Sequence, residues 1–380
     1  MSEPLKQNPP GLYIHIPFCV SKCPYCNFYS VTDRSNIPRF IACLVEEMGL
    51  YTGHFDRFDT VYFGGGTPST LSPAQLETIL DAVCRHFAIS KDAEITCELN
   101  PGDVSSDYLA SLRAMGINRL TIGIQSFDEP MLTFLGRRHS TPQSMAALEL
   151  SRRAGFENIG LDLIYGIPGQ SLKSWERGLH RAISYEPEHI SCYELTIEPG
   201  TPLHRRYRDN EFAFPKEDLL YEFFTTTSRL LVDAGYVHYE VSNFAGDMHL
   251  RSRHNQKYWD QTPYLGIGPA AHSFHGNRRW WNHPSLDGYV EHLQVRRHPP
   301  GGTETLSISH LRNEALYLAL RTKQGIDLSD FLLRYDCDIL KEKKDAVTRL
   351  CNDRLIEIID GRLQPTARGL ALADSIYSEL

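Results

Sequence analysis

Residues 15–28 read His15-Ile-Pro-Phe-Cys19-Val-Ser-Lys-Cys23-Pro-Tyr-Cys26-Asn-Phe28, and the three cysteines govern how the rest of the chain is read. Spacings of three and two intervening residues let one loop wrap three thiolates around a cubane [4Fe–4S] cluster. The fourth iron is then left open to a small chelating molecule. A structural zinc site wants four protein ligands, and no further Cys or His follows at finger spacing. A thioredoxin-like pair has no use for Cys19. The intervening residues are polar and loop-forming. The other cysteines, Cys43, Cys84, Cys97, Cys192, Cys337 and Cys351, stand among apolar neighbours and read as buried, reduced thiols.

Outward from this loop the first half alternates strand and helix patterns. Short runs rich in β-branched or aromatic residues lie at Leu12–Ile16, Thr60–Phe63, Glu94–Glu98, Leu120–Ile124, Gly160–Ile164 and Ile190–Leu195. Helical periodicity occupies Arg39–Tyr51, Pro73–Phe87, Ser106–Met115, Thr141–Ala154 and Ser171–Ser184, with Leu76, Ile79, Leu80 and Val83 marking one apolar face. Ser72-Pro73 is an N-cap followed by Pro at the first helical position. Gly116, Gly155 and Gly235 stand where helix C-caps do. Such alternation implies α/β architecture: a parallel sheet covered by helices and curved into an open, partial (β/α)6 TIM-like barrel. Ligands of such folds sit at the carboxyl ends of the strands, where Gly64-Gly-Gly66, Asn100-Pro101 and Gln125 fall.

The chain of 380 residues is 41% hydrophobic and 23% charged, with a formal net charge of −8. These values describe a globular protein with material for a core, and they argue against whole-protein attraction to nucleic acid or acidic lipid. Arg251-Ser-Arg253-His254 and Arg278-Arg279 are the local basic exceptions. The N-terminal stretch Met1–Pro10 is polar and Pro-rich without signal-peptide character. No apolar run approaches the ~18–20 residues needed to cross a bilayer. The expected location is cytoplasmic.

Beyond residue 200, Lys216–Ala234 reads as a helix and Tyr236–Phe244 as a strand, followed by a Gly/His/Trp/Asn-rich segment from Ala245 to His283. From Ser307 the pattern is helical, with Leu311, Ala315, Leu318 and Ala319 on one face. Residues 328–380 read helix–helix–hairpin–helix, the hairpin being Leu355–Pro365 around Asp360-Gly361. That order outlines a winged-helix-like α+β module. Its mixed charges, Arg334, Lys341, Lys343, Lys344 and Arg349 against Asp336, Asp338, Glu342 and Asp345, favour packing or partner docking over DNA binding. The expected domains are residues 1–205, 206–300 and 301–380: barrel, barrel extension and C-terminal module.

The Cx3Cx2C string at the end of a first strand, with a glycine-rich loop after the second, resembles the radical SAM superfamily. Tyr13-Ile-His-Ile-Pro-Phe-Cys19, Tyr62-Phe-Gly-Gly-Gly-Thr-Pro68, Gly123-Ile-Gln-Ser126 and Asp162-Leu-Ile-Tyr-Gly-Ile-Pro-Gly169 narrow it. They are similar to the HemN-like branch, which holds the oxygen-independent coproporphyrinogen III dehydrogenases and related heme chaperones. The resemblance implies a cluster on Cys19, Cys23 and Cys26, with S-adenosylmethionine (SAM) at the open iron. It places SAM against Tyr13, Tyr25, Gly65, Gly66, Thr67, Glu98, Gln125, Arg137 and Asp162. Gly65 and Gly66 would admit close backbone approach to the ligand, while Glu98 would meet its ammonium or ribose. Arg137 would meet its carboxylate, and Tyr25 would stack near adenine.

Two departures separate the chain from the dehydrogenases of that branch. Phe28 stands where their fourth cysteine is expected, and Cys19 follows the N-terminus almost at once. His254-Asn255-Gln-Lys-Tyr258-Trp259 resembles the HNxxYW signature of the heme chaperones, which implies a heme site on His254, Asn255, Tyr258 and Trp259. Imidazole ligates iron and the aromatic rings flank a porphyrin face. From residue types alone, His254 capping a turn with Tyr258 and Trp259 in the core is the favoured reading, and it is the resemblance that turns the preference to a heme site. Tyr264–Phe274 carries glycines for a tight loop over the SAM pocket, and His272 is a second candidate iron ligand. The leading expectation is a heme chaperone without required turnover. It would deliver heme to acceptors such as membrane respiratory hemoproteins, with peripheral membrane contact and homodimer formation. A radical-SAM coproporphyrinogen III dehydrogenase and an Fe–S redox-sensing winged-helix regulator are the rivals.

Overall fold

The computed structural model describes residues 8–380, so that residues 1–7 of the polar N-terminal stretch Met1–Pro10 lie outside them. The chain begins with β1 (Gly11–Ile16), α1 (Ile37–Leu50), β2 (Phe58–Gly65), α2 (Pro73–His86), β3 (Ile89–Leu99), α3 (Ser106–Ala114) and β4 (Arg119–Gln125). Next come α4 (Glu129–Phe134), α5 (Thr141–Arg153), β5 (Ile159–Tyr165), α6 (Leu172–Ile183), β6 (His189–Glu194) and α7 (Pro202–Arg208). The strand–helix alternation expected for the first half is present, with the third strand starting earlier than expected, at Ile89. Further on lie α8 (Glu217–Asp233), β7 (Val237–His238), β8 (Asn243–Ala245), α9 (Arg253–Trp259), β9 (Tyr264–Ile267), β10 (His272–His275), β11 (Arg278–Asn282), α10 (Leu286–Gln294) and β12 (Gly301–Thr305).

Two compact units share the chain. The first takes residues up to Asp162, Thr196–Glu211 and Thr262–Thr305; the second takes Leu163–Leu195, Phe212–Gln261 and Leu306–Leu380. In the first unit β1 lies between β2 and β9, parallel to both, and β2, β3 and β4 continue the parallel order. Buried on both faces, such strands are nearly uninterrupted apolar runs, and Leu12, Ile14 and Ile16 are fully enclosed. The antiparallel strands β10, β11 and β12 extend the sheet beyond β9. The Gly/His/Trp/Asn-rich segment is thus largely ordered structure. Helix α2 begins with the Ser72–Gln75 capping box, Pro73 following the cap, and turns Leu76, Ile79, Leu80 and Val83 inward. Gly116, Gly155 and Gly235 adopt positive φ after α3, α5 and α8, as expected of helix ends.

A buried carboxylate ties α1 to this extension. Glu47 accepts from Gly268 N (2.8 Å), Asn282 Nδ2 (2.7 Å) and the Tyr289 hydroxyl (2.6 Å). Burial pushes its carboxyl up to about 7, against those three donors, which pull it down.

In the second unit β6 pairs antiparallel with β8, and β8 with β7. The single strand expected over Tyr236–Phe244 is therefore two strands of a hairpin. Glu240 breaks it: its buried carboxylate accepts from Ser242 N at 3.0 Å, and that turn replaces ladder pairing. Helix α6 packs on α8 through Trp175 Nε1, which donates to Thr227 Oγ1 at 2.7 Å. The C-terminal part runs α11 (Ile308–Ala319), β13 (Ile326–Asp327), α12 (Leu328–Tyr335), α13 (Ile339–Glu342), α14 (Lys344–Asn352), β14 (Ile356–Ile359) and β15 (Arg362–Pro365). Two short helices, 367–371 and 373–379, close it. Asp360 and Gly361, both at positive φ, turn the β14–β15 hairpin as the Asp-Gly signal requires, and β13 pairs with β15. The buried face of α11 centres on Leu316 and Leu320, with Ala315 and Ala319 beside them. Leu311 and Leu318 lie off that centre, half-exposed. Among the scattered cysteines Cys43, Cys97, Cys192 and Cys337 are buried as expected, whereas Cys84 is exposed on α2 and Cys351 half-buried. Apolar sequence neighbours did not place Cys84 on the inner face of its helix. Among the described residues no helix is long and apolar enough to cross a membrane.

Truncation of Glu47 leaves three buried donors unpaired. Glu47→Ala is expected to lower unfolding stability by roughly 3 kcal/mol or more, and Glu47→Gln by about 1 kcal/mol, measured by urea denaturation. A carboxyl raised on folding stabilises fully below its unfolded pKa and loses that contribution as pH rises through its folded one. Wild-type stability is therefore expected to fall between about pH 4.5 and pH 7, with a shallower slope in Glu47→Gln.

Candidate functional site

The cysteine loop leaves β1 under backbone control at both ends. Val31 N donates to Pro17 O at 2.7 Å and Cys19 N to Val31 O at 2.9 Å. From the end of β2, Gly66 N donates to Ile16 O and Thr67 N to Phe18 O, each at 2.8 Å. A Cβ on Gly66 would stand 2.8 Å from Phe18 O and 2.9 Å from Ile16 O, so only glycine allows this approach. On Gly65, at φ +107°, a Cβ would stand 2.5 Å from the His15 ring. The sequence reading gave both glycines to a ligand. In the structure their missing side chains first admit the protein's own backbone and imidazole.

Cys19 is buried, and Cys23 and Cys26 are half-buried. Cys19 Sγ lies 3.4 Å from Thr67 Oγ1. Arg137 Nη1 donates to Cys23 Sγ at 3.5 Å. Burial pushes the Cys26 thiol up, the Phe28 backbone opposes it, and the nearby Cys23 and Cys19 add to the rise. Three free thiols on one loop beside a guanidinium form a donor set that fits a cubane, which takes each thiolate on a different iron. Among the described residues no three His, Cys, Asp or Glu side chains converge to hold a single ion.

Arg137 also donates from Nη2 to Gly123 O at 2.7 Å, while its buried Nε has no partner. Tyr25, expected to stack near adenine, directs its hydroxyl to this guanidinium; burial pushes its phenol up and Arg137 draws it down. Gln125 ends β4 at φ +65°. Its Nε2 and Arg137 Nη2 both close over Gly123, where a Cβ would stand 2.9 and 3.3 Å from them. Toward β2 and β3, the Tyr62 hydroxyl donates to Glu98 Oε1 at 2.8 Å, and Tyr13 stacks on Tyr62 with centroids 6.1 Å apart. Burial and the charge of Asp162 raise the Glu98 carboxyl to about 7, although Tyr62 and Gly65 N–H oppose the rise. The residues expected to hold cluster and SAM are thus gathered at the carboxyl ends of β1–β4 and on Asp162 of β5.

Sequence reasoning assigned no role to His15. Its Nδ1 lies 3.1 Å from the Tyr13 hydroxyl and its Nε2 2.9 Å from Tyr29 O, which ties the far side of the cysteine loop to β1. Burial lowers the imidazole to about 4, so it is neutral near pH 7. A polar ring at the end of a central strand, four residues before Cys19, was the available signal.

In the second unit, His254 lies in α9, whose N-cap Ser252 accepts from Asn255 N at 3.3 Å. His254 is 1% exposed. Its Nε2 is 3.0 Å from the Tyr258 hydroxyl one turn on, and the rings meet edge to face at 5.4 Å. Burial, helped by Lys257, lowers its pKa to about 3. Asn255, Tyr258 and Trp259 are half-buried. His254 is thus inside the helix rather than capping a turn. His272, in the first unit, is exposed on β10 and stacks on Trp281.

The fold and this site define a radical SAM protein: residues 13–182 match the Radical SAM superfamily and residues 306–372 the HemN C-terminal domain. The Escherichia coli coproporphyrinogen III oxidase HemN, a radical SAM enzyme, has the same fold at TM-score 0.85 and 24% identity, over 98% of this chain and 90% of that one. Heme chaperone HemW of Mycobacterium tuberculosis is 36% identical over 99% of this chain and 96% of its own length. HemW of Bacillus subtilis is 31% identical over 96% and 97%, and HemW of Escherichia coli K12 is 37% identical over 78% and 76%. The chain belongs to the HemW family. Its superfamily works with a [4Fe–4S] cluster and SAM, as the cysteine loop led us to expect.

Because backbone atoms crowd Gly66, Gly66→Ala is expected to lower iron and sulfide per chain severalfold after anaerobic reconstitution. Gly178→Ala, in α6 with open space around its Cβ position, should leave cluster content unchanged and stabilise the helix by ~0.5–1 kcal/mol.

Proposed function

We propose that this protein is a heme chaperone: it carries a SAM-ligated [4Fe–4S] cluster, binds heme and passes it to heme-accepting proteins. The observation that carries the reading is the similarity, over nearly the whole chain, to relatives named heme chaperone HemW in several bacteria. Cys19, Cys23 and Cys26 hold the cluster, whose open iron supplies the ligation point for SAM. No fourth thiol stands at Phe28, a side chain 68% exposed. The unpartnered Nε of Arg137 gives a buried cationic donor for the SAM carboxylate. Glu98, Gln125, Asp162, Thr67, Gly65, Gly66, Tyr13 and Tyr25 complete the pocket.

Heme lies against α9. His254 is neutral and therefore in its ligand form; its Nε2 exchanges the Tyr258 hydroxyl for iron, while Tyr258 and Trp259 flank the macrocycle and Asn255 adds a polar contact. The acceptors are hemoproteins such as membrane respiratory enzymes, reached by peripheral contact, and the working form is a homodimer. The rival reading, a coproporphyrinogen III dehydrogenase, has the HemN fold in its favour, a likeness of fold alone.

Heme titration tests the proposal. Wild-type protein is expected to give a stable Soret band that weakens or shifts in His254→Ala. Tyr258→Phe, which removes the competitor for Nε2, is expected to bind heme as tightly as wild type or a few-fold tighter. Absence of heme binding overturns the reading, as does robust conversion of coproporphyrinogen III to protoporphyrinogen by the reduced protein with SAM.

A further inference from the structure

The second unit contains a cavity of about 220 Å³ beside α9, and its lining is unusual in charge. Arg251 and Lys323 face it, with Gln256, His238, Gln364 and Met248 among the other walls, and among the described residues no carboxylate lines it. Arg251 uses Nε to donate to Met248 O at 2.8 Å and Nη1 to donate to Gln256 Oε1 at 3.3 Å, so Nη2 remains available. Fixing the Gln256 carbonyl in this way leaves Nε2 of that amide buried with no partner. An orphaned buried donor is costly unless something in the cavity accepts from it. Lys323 lies close enough for its charge to help lower the pKa of His238, after the larger effect of burial. His238 is also held by Ser228 Oγ, 3.0 Å from Nδ1. Among the described residues Lys323 pairs with the carboxylate of Glu357, 3.8 Å away and itself 41% exposed, a weak competitor.

We infer that this cavity is a carboxylate-binding pocket that receives a propionate arm of the porphyrin; the source of the carboxylate rests on the heme-binding reading above. Two cationic side chains, an orphaned amide donor and the absence of any lining acid select an anion. The volume is below the ~300–1,000 Å³ of pockets that bury a whole drug-sized ligand, so it suits one limb of a larger molecule whose body stays outside. Gln256 belongs to the helix that carries His254 and Tyr258, and Arg251 immediately precedes its N-cap. An arm seated here would accept from Arg251 Nη2 and Gln256 Nε2 and face the Lys323 ammonium.

The test uses iron-free protoporphyrin IX, which keeps both propionates and removes iron ligation, and its dimethyl ester, which lacks the charge. Binding to the full-length protein is followed by porphyrin fluorescence. Wild type is expected to prefer the free acid over the ester by tenfold or more. Arg251→Gln and Lys323→Gln should each remove most of that preference while leaving ester affinity and the circular-dichroism spectrum unchanged. Excess propionate should compete with the free acid in wild type and not in Arg251→Gln. Equal affinity for acid and ester, or variants that keep the preference, would overturn the assignment even if heme still binds through His254. Propionate that binds the pocket without any porphyrin affinity would sink the porphyrin source of the carboxylate and leave the heme reading to the Soret titration. The His254→Ala Soret experiment fails independently of these outcomes, since protoporphyrin IX has no iron to ligate.

Discussion

The approach of the β2 glycine end to the backbone of β1 is the constraint on which the cysteine loop depends. Gly66 N to Ile16 O and Thr67 N to Phe18 O, both 2.8 Å, hold the first residues of that loop, and the same turn brings Thr67 Oγ1 to Cys19 Sγ. A hydrogen bond of this kind adds about 1 kcal/mol net, so energy is the lesser part of its contribution. Its larger effect is geometric. Three thiols can meet a cubane only if the loop starts from a fixed point, and here two strands fix that point. His15 then fixes the loop's return through Tyr29 O.

From this clamp the rest of the pocket follows by register. Parallel pairing sets His15 opposite Gly64 on β2 and Glu98 on β3 opposite Thr121 on β4. One edge of the sheet therefore collects a neutral imidazole, a carboxyl of raised pKa, a buried guanidinium and the thiols. Charge is arranged by side. Arg137 stands next to Cys23, where cluster thiolates would bring negative charge, and Glu98 stands next to Asp162, where a cationic ammonium would relieve the pair.

Much of this was legible in the sequence because strands and helices here follow their periodicities and carry their own punctuation. Ser72-Pro73, Asp360-Gly361 and the Cx3Cx2C string each determine structure locally, and each sits where its chemistry required. What was not legible depended on partners distant in sequence. Nothing near Gly11–Ile14 announces that Tyr264–Ile267 lies beside it. Glu47 reads as one more polar position on a helix until Gly268, Asn282 and Tyr289 converge on it. The Tyr236–Phe244 run has strand composition, yet one buried carboxylate at Glu240 turns it into a hairpin. His254 was ambiguous between turn cap and iron ligand, and the fold places it inside α9 with its ring nitrogen on Tyr258. The glycines at the end of β2 were read as sites of close backbone approach to a ligand, and in the structure their Cβ positions lie against the protein's own backbone and the His15 ring.

The central claim is a cluster held by three thiolates with one iron open to SAM. Mössbauer spectroscopy of protein reconstituted with ⁵⁷Fe, recorded with and without SAM, addresses it directly. The expected result is a change in the isomer shift and quadrupole splitting of one iron in four, lost when Arg137 is replaced by Ala and SAM no longer seats. Spectra that are identical with and without SAM, or a change spread over all the irons, would contradict the account.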